Sequence, residues 1–276
     1  MTSSQRHILI TGATGGIGAE TALALAGPDT RLTLVARDPG RLFALGERLR
    51  ATTASVEPIP ADLAAPGAAA EVVAEAEAAN GPIDVLVNCA GTNDFRRFAE
   101  MAPARIEQLV LTNFLAPMML TRAALPTMLA RGQGRVVNIG SVMGGVGFAG
   151  FAVYCATKFG LRGFSEALRR ELRGSGVSVV HVAPRYTRTA LNTAAMDRMA
   201  QAVGMKIDDP KAVARIVAAA VQGRQAEHTI GGAERLLTRV NALFPRLIDF
   251  ALASLNRRML RHVAAPERRD MAETRS

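Results

Sequence analysis

Along this chain, short and nearly unbroken apolar runs alternate with longer stretches in which apolar residues return every three or four positions. The first pattern predicts buried strands and the second predicts amphipathic helices. Residues 7–11 form a β-branched run ending at Gly12, a strand that enters a tight turn. In residues 16–26 the spacing of Ile17, Thr21, Leu23 and Leu25 predicts a helix. Strands at 31–36 and 55–59 flank a helix at 39–50, and an alanine-rich helix at 65–80 is stopped by Asn80-Gly81-Pro82. Residues 83–88 predict a buried fourth strand. The helical stretch at 102–131 contains Pro117 and Pro126, which predict a split or a kink. Strand, helix and strand follow at 135–139, 152–174 and 177–183, then helices at 189–203 and 210–223 and a short strand at 228–230.

Strands alternating with helices imply parallel strands joined by right-handed crossovers, and continuously apolar strands imply helices on both faces. The fold class is therefore α/β: a doubly wound parallel sheet of Rossmann type. One catalytic domain is expected over 1–232, with a C-terminal extension over 233–276. In such a sheet the ligand crevice lies at the strands' carboxyl ends. Gly12, Arg37, Asp62, Asn88, Ser141 and Pro184 fall along that edge.

Composition narrows the function. At 276 residues and 49% hydrophobic content the chain can bury one large core. A net charge of +9 favours acidic partners: phosphorylated cofactors, anionic lipid surfaces or nucleic acid. Nucleic acid is set aside, because aromatics are only 4% and no stacking signature is present. Cys89 and Cys155 stand among small apolar residues, which suits buried reduced thiols. His7, His181, His228 and His262 are isolated, so no metal site is expected. The polar start shows no secretory signal and no run looks long enough to span a bilayer, so a cytoplasmic protein is expected.

Between the first strand and first helix lies Thr11-Gly12-Ala13-Thr14-Gly15-Gly16-Ile17-Gly18. Glycines there let backbone amides approach a pyrophosphate, and the helix N-terminus adds unpaired N–H donors and a favourable dipole. An ordinary turn would also use glycines; position in the first strand–helix unit favours the cofactor. The second strand ends Val35-Ala36-Arg37-Asp38. Arg37 suits a 2′-phosphate, which favours NADPH over NADH, whereas Asp38 would bind a ribose or merely cap the helix at Pro39.

Tyr154 and Lys158 share a helix face at i, i+4 spacing. A free phenol titrates near ~10, and a neighbouring cation is expected to lower that value and let the tyrosine exchange protons with an alcohol or alkoxide. Ser141 follows the fifth strand and offers a hydroxyl to the same oxygen, or else caps a turn. Asn113 is a poor helix former within a helical stretch: it holds a water, loosens the helix, or makes a buried structural bond.

In this order the glycine turn, Asp62-Leu63, Asn88-Cys89-Ala90-Gly91, Asn113, Ser141, Tyr154/Lys158 and the segment from Pro184 to Thr189 resemble the short-chain dehydrogenase/reductase family, over about residues 7–231. The resemblance implies roles. Gly12, Thr14, Gly15, Gly16, Ile17 and Gly18 would cradle the pyrophosphate. Asp62-Leu63 would approach the adenine, and Asn88 to Gly91, Ala90 included, would support the sheet and line the adenosine ribose. Lys158 and Tyr154 would border the nicotinamide ribose, and Asn113 would anchor a relay water. Thr187 and Thr189, after Pro184, would hold the carboxamide and pyrophosphate. Hydride would pass between the nicotinamide and a substrate carbon while Tyr154 handles the oxygen's proton. The family also implies a homodimer or homotetramer through helices around Asn113 and Phe159.

Two positions depart from the family pattern: Cys89 where a second Asn is common, and Arg185 where glycine is usual. Arg185 is expected to recruit an anionic substrate, clamp the pyrophosphate, or point outward. Residues 188–209 are expected to form a substrate lid, whose Leu191, Met196, Met199, Val203 and Met205 suit a hydrophobic ketone or aldehyde. Residues 243–263 make a basic amphipathic helix that packs on the domain, a partner subunit or a membrane surface. The competing reading is a catalytically silent NADP(H)-binding sensor or membrane-associated interaction protein.

Overall fold

The computed structural model describes residues 5–223 and 225–263. The chain alternates β1 (Arg6–Thr11), α1 (Gly16–Leu25), β2 (Thr30–Ala36), α2 (Pro39–Arg50), β3 (Ser55–Pro60), α3 (Ala68–Asn80) and β4 (Val85–Asn88). It continues through α4 (Pro103–Val110), α5 (Ala116–Arg131), β5 (Gly134–Ile139), α6 (Ala152–Glu171), β6 (Val177–Ala183), α7 (Ala194–Ala202), α8 (Pro210–Gln222) and β7 (Glu227–Thr229). Two further helices, α9 (Gly232–Leu243) and α10 (Pro245–Leu260), follow.

The seven strands form one parallel sheet in the order β3-β2-β1-β4-β5-β6-β7. Chain direction across the sheet reverses between β1 and β4, and that switch opens a crevice above their carboxyl ends. Two apolar layers cover the faces. Leu25, Leu42 and Val217, from α1, α2 and α8, pack on one side. Val72, Leu120 and Leu168, from α3, α5 and α6, pack on the other. Each fully buried Leu or Ile in these layers contributes roughly 1.5–3 kcal/mol, which is why the strands are uninterrupted apolar runs.

Differences from the expected elements have local causes. The long helical stretch is interrupted before Pro117, by a π-helical turn at Leu111–Leu115. Pro117 has no N–H to offer the carbonyl of Asn113 four residues earlier, so regular α-helical bonding fails there. Pro126 is accommodated inside α5. By length and composition the whole Pro103–Arg131 helix could cross a membrane, contrary to the sequence expectation. Its Leu109, Leu120, Ala124 and Met128 are instead buried within the domain. The lid contains only a short helix, α7, preceded by irregular backbone from 184 to 193. The expected C-terminal helix is preceded by a second one, α9, whose apolar residues are largely half-buried or exposed.

Candidate active site

The glycine turn is shaped by close approach. Gly12 has φ +65°, a left-handed conformation that favours glycine, and a Cβ there would lie 2.7 Å from the Cα of Ala90. A Cβ on Gly16 would lie 2.7 Å from the Thr189 methyl, and one on Gly18 would run into the Gly12 carbonyl. Thr11 ties the turn to the β4 loop, its Oγ1 accepting from the Cys89 and Ala90 amides at 3.0 and 3.1 Å. Sequence reasoning did not single out this threonine, because a Thr ending a strand carries no local signal. Gly15 caps α1 without a side chain. The first-turn N–H groups of α1 have no intrahelical acceptor, and Gly16, Ile17 and Gly18 line the cleft. A turn packed too closely for Cβ atoms at Gly12, Gly16 and Gly18, with free first-turn amides along the cleft, fits a dinucleotide pyrophosphate.

At the far end of the trough, Arg37 is exposed on the rim and makes no hydrogen bond or ion pair among the described residues. Asp38 is the helix cap: its carboxylate accepts the Arg41 amide at 3.0 Å. Arg41, which sequence reasoning missed, donates to the Thr14 carbonyl at 2.7 Å and lines the same cleft. A cation in the first turn opposes the helix dipole, and that was a legible signal. Asp62 accepts the Ala64 amide at 3.1 Å, and both Asp62 and Leu63 line the cleft.

Asn88 is the one expected cofactor contact that does not reach the lining. It is buried beneath the crevice, its amide donating to Asn138 Oδ1 at 2.8 Å and to Thr121 Oγ1 at 3.3 Å, while Ala90 and Gly91 line the cleft. Pro184, Thr187 and Thr189 also line the cleft, Thr189 beside Gly16.

Over the end of β5, Lys158 is buried and its Nζ donates to the Ile139 carbonyl at 2.9 Å. Ser141 Oγ accepts the Met143 amide at 3.1 Å, so it caps its turn, and it lines the cleft beside the Tyr154 phenol. Asn113 sits in the π-helical turn, donating to the Thr92 carbonyl at 2.8 Å and accepting the Thr92 amide at 2.7 Å. Its side chain is thus a buried structural anchor. A Cβ on Gly91 would meet Asn113 Oδ1 at 3.4 Å and Lys158 Nζ at 3.9 Å, so all three groups converge there.

The expected acidification of Tyr154 is not produced by these side chains alone. Burial pushes the phenol up to about 12, with the neighbouring Ser141 hydroxyl pulling the other way. Burial also pushes Lys158 down to about 8. The ammonium stands 5.7 Å from the centroid of the phenol ring and is held by a carbonyl, so desolvation outweighs its attraction. A protonated phenol at neutral pH is a proton donor.

Arg185 does not point outward: its side chain is only 14% exposed and it lines the cleft. It forms a double hydrogen bond with the Asp208 carboxylate and an ion pair with Glu234 at 3.4 Å. Its backbone is not left-handed, so the departure from glycine carries no strain. It links the sheet edge to the end of the lid and to α9. Beyond Tyr154 the cleft, of about 650 Å³, becomes apolar: Phe148, Met196 and Met205 face Leu237, Leu252 and Leu255 from α9 and α10.

Comparison with known proteins agrees with this geometry. A family model described as short chain dehydrogenase matches residues 6–223. The chain belongs to the short-chain dehydrogenase/reductase family. As a member, it is an NAD(P)-dependent oxidoreductase. It is 33% identical to the ketoacyl reductase HetN of Nostoc sp., over 90% of this chain and 88% of that one. It is 35% identical to an acetoacetyl-CoA reductase of Acinetobacter sp., over 82% and 92%. Among solved structures, a short-chain dehydrogenase from Sphingobium yanoikuyae in complex with NADPH superposes with a TM-score of 0.74 at 31% identity, covering 88% of this chain and 96% of that one. The matched family region ends before α9, so the cleft wall from α9 and α10 lies outside it.

Proposed function

We propose that this enzyme reduces a hydrophobic ketone or aldehyde, such as a 3-oxoacyl or lipid-type carbonyl compound, to its alcohol, preferring NADPH and using Tyr154 as the acid/base group. The observation that carries the reading is that Ser141, Tyr154 and Lys158 come together where the glycine-lined trough meets the apolar compartment. The bound nicotinamide would supply hydride to the carbonyl carbon. Tyr154 would give its proton to the oxygen, and Ser141 would hold that oxygen in place. Lys158 and Asn113 complete the catalytic group, Lys158 by holding ribose hydroxyls and Asn113 by fixing the loop after Gly91. A phenol raised to about 12 stays protonated near neutrality and suits the reductive direction.

The cofactor would lie from Asp62 and Leu63, past Gly12, Thr14, Gly15, Gly16, Ile17 and Gly18, to Pro184, Thr187 and Thr189, with Ala90 and Gly91 at its ribose. Arg37 and Arg41 would take the 2′-phosphate; NAD(H), lacking it, would bind more weakly. Family relatives with ketoacyl and acetoacetyl-CoA reductase names support a 3-oxoacyl substrate. Exposed Val110, Leu115, Met119 and Phe159 would join copies into a homodimer or homotetramer. Two free thiols suit a cytoplasmic setting, where the C-terminal helices could touch a membrane.

The test is a panel of 3-oxoacyl thioesters and apolar ketones, each with NADPH and NADH, read by product alcohol. NADPH should be favoured roughly ten- to hundredfold, the worth of one charged hydrogen-bonded contact. Cofactor binding without product from any carbonyl would favour the silent sensor instead.

A further inference from the structure

Helices α9 and α10 are two-sided. On the inner side Leu237, Leu252 and Leu255 line the substrate compartment, Ile248 is buried, and Met259 is buried in one cluster with Met196 and Met199 of the lid. On the outer side, Leu243, Phe244, Leu247 and Phe250 cluster around the turn between the two helices. Leu243 is 73% exposed and Phe250 is 85% exposed. Single exposed apolar residues are ordinary, but a contiguous group containing two phenylalanines marks a surface that is covered in use.

Charge identifies what covers it. Residues 232–263 carry exposed Arg235, Arg239, Arg246, Arg257, Arg258 and Arg261 against only Glu234 and Asp249, and Glu234 is already held by Arg185. Arg239 and Arg246 border the apolar group on one side. Arg257 and Arg261 continue the Leu247–Phe250 face at helical spacing toward the other end. A second copy is a poor occupant: an isologous contact would set this arginine rim against itself. An anionic lipid surface satisfies both features, taking the apolar side chains into the acyl boundary and the guanidinium groups among phosphates.

We propose that the outer face of α9 and α10 docks on an anionic phospholipid bilayer, which places the substrate compartment on the other side of these helices within reach of apolar molecules held in the membrane. The delivery step rests on the apolar-substrate reading above; the docking step does not.

The full-length protein is mixed with phosphatidylcholine vesicles, with or without roughly one-third phosphatidylglycerol, and binding is read by co-sedimentation. Binding should be roughly tenfold or more stronger to the anionic vesicles, and should weaken as salt rises. The variant Leu247→Glu/Phe250→Glu should lose roughly tenfold or more of that binding while its turnover of a short water-soluble ketone is unchanged. If that variant misfolds, Arg239→Gln/Arg246→Gln serves, with anionic binding reduced and the apolar cluster intact. Equal sedimentation of wild type and variants overturns the proposal. So does a change of oligomeric state in the variants by sedimentation velocity, which would make the face a contact between copies. Turnover of the water-soluble ketone reports the reductase reading separately, so either idea can fail alone.

Discussion

At the floor of the cleft, Ser141, Tyr154 and Lys158 stand on neighbouring backbone: the end of β5 and the first turns of α6, closed together by the Lys158–Ile139 hydrogen bond. At the outer wall, Leu237, Leu252 and Leu255 stand on two helices that the sheet does not hold directly. Among the described residues their polar ties to the body of the protein run through side chains: Arg185 to Glu234, Asn241 to the Gly145 carbonyl, Asn256 to the Ala149 amide, Arg235 to the Thr229 carbonyl and Arg258 to the Ala202 carbonyl. The floor is positioned by strand ends and cannot move without unpairing the sheet. The wall is positioned by side chains and can move without disturbing the chemistry. Fixed chemistry beneath an adaptable wall is the arrangement that lets one reaction serve different apolar substrates.

The largest test of this contrast is Tyr154→Phe. Removing the phenol takes away the proposed proton donor, and turnover should fall roughly 10²- to 10⁴-fold in steady-state assays. Loss of the hydroxyl should cost only about 1 kcal/mol in thermal unfolding, with NADPH affinity little changed. A variant that keeps most of its turnover would remove Tyr154 from the chemistry and with it the distinction between floor and wall.

Next comes Lys158→Met. Burial lowers the folded-state titration of Lys158 from 10.5 to about 8, so the unfolded chain binds the proton more strongly. The cost to stability is therefore complete below about pH 8, and it is relieved as pH rises from about 8 towards 10.5. At pH 7 the methionine variant should be more stable by an amount on the order of 2–3 kcal/mol, less the lost bond to Ile139, and it should be inactive. Its advantage should shrink towards pH 10. A variant that melts lower at pH 7 would show that the floor is held by the lysine rather than strained by it.

The same contrast explains what could be read from the chain. Strand ends are set by local apolar runs, so Gly12, Arg37, Asp62, Ser141 and Pro184 were placed on one edge by periodicity alone. The Tyr154/Lys158 pair followed from helical spacing. The direction of the phenol's shift did not, because it depends on how deeply the pair is buried and on a carbonyl from another element competing for the ammonium. Asn88 shows the same limit. Its position at the end of β4 was legible, but the buried partners Asn138 and Thr121 that occupy its amide lie on β5 and α5. The wall was hardest to read. Arg185 finds its partners at Asp208 and Glu234, and nothing near it in sequence announces either one.

Arg185→Met is the smallest expected effect and the sharpest test of the wall. The Arg185 and Asp208 side chains are only 14% and 12% exposed, so the substitution leaves a mostly buried carboxylate without its cation. Thermal unfolding should register roughly 1–3 kcal/mol of lost stability. Adding Asp208→Asn removes the stranded charge and should restore much of that stability without restoring the link to Glu234. If the staple positions the wall, KM for long apolar substrates should rise in both variants, while kcat and the KM for NADPH stay near wild type. A rise in the NADPH value as well would mean that the lid segment carrying Thr187 and Thr189 moves with Arg185. The boundary between fixed floor and adaptable wall would then run through the cofactor site rather than beyond it.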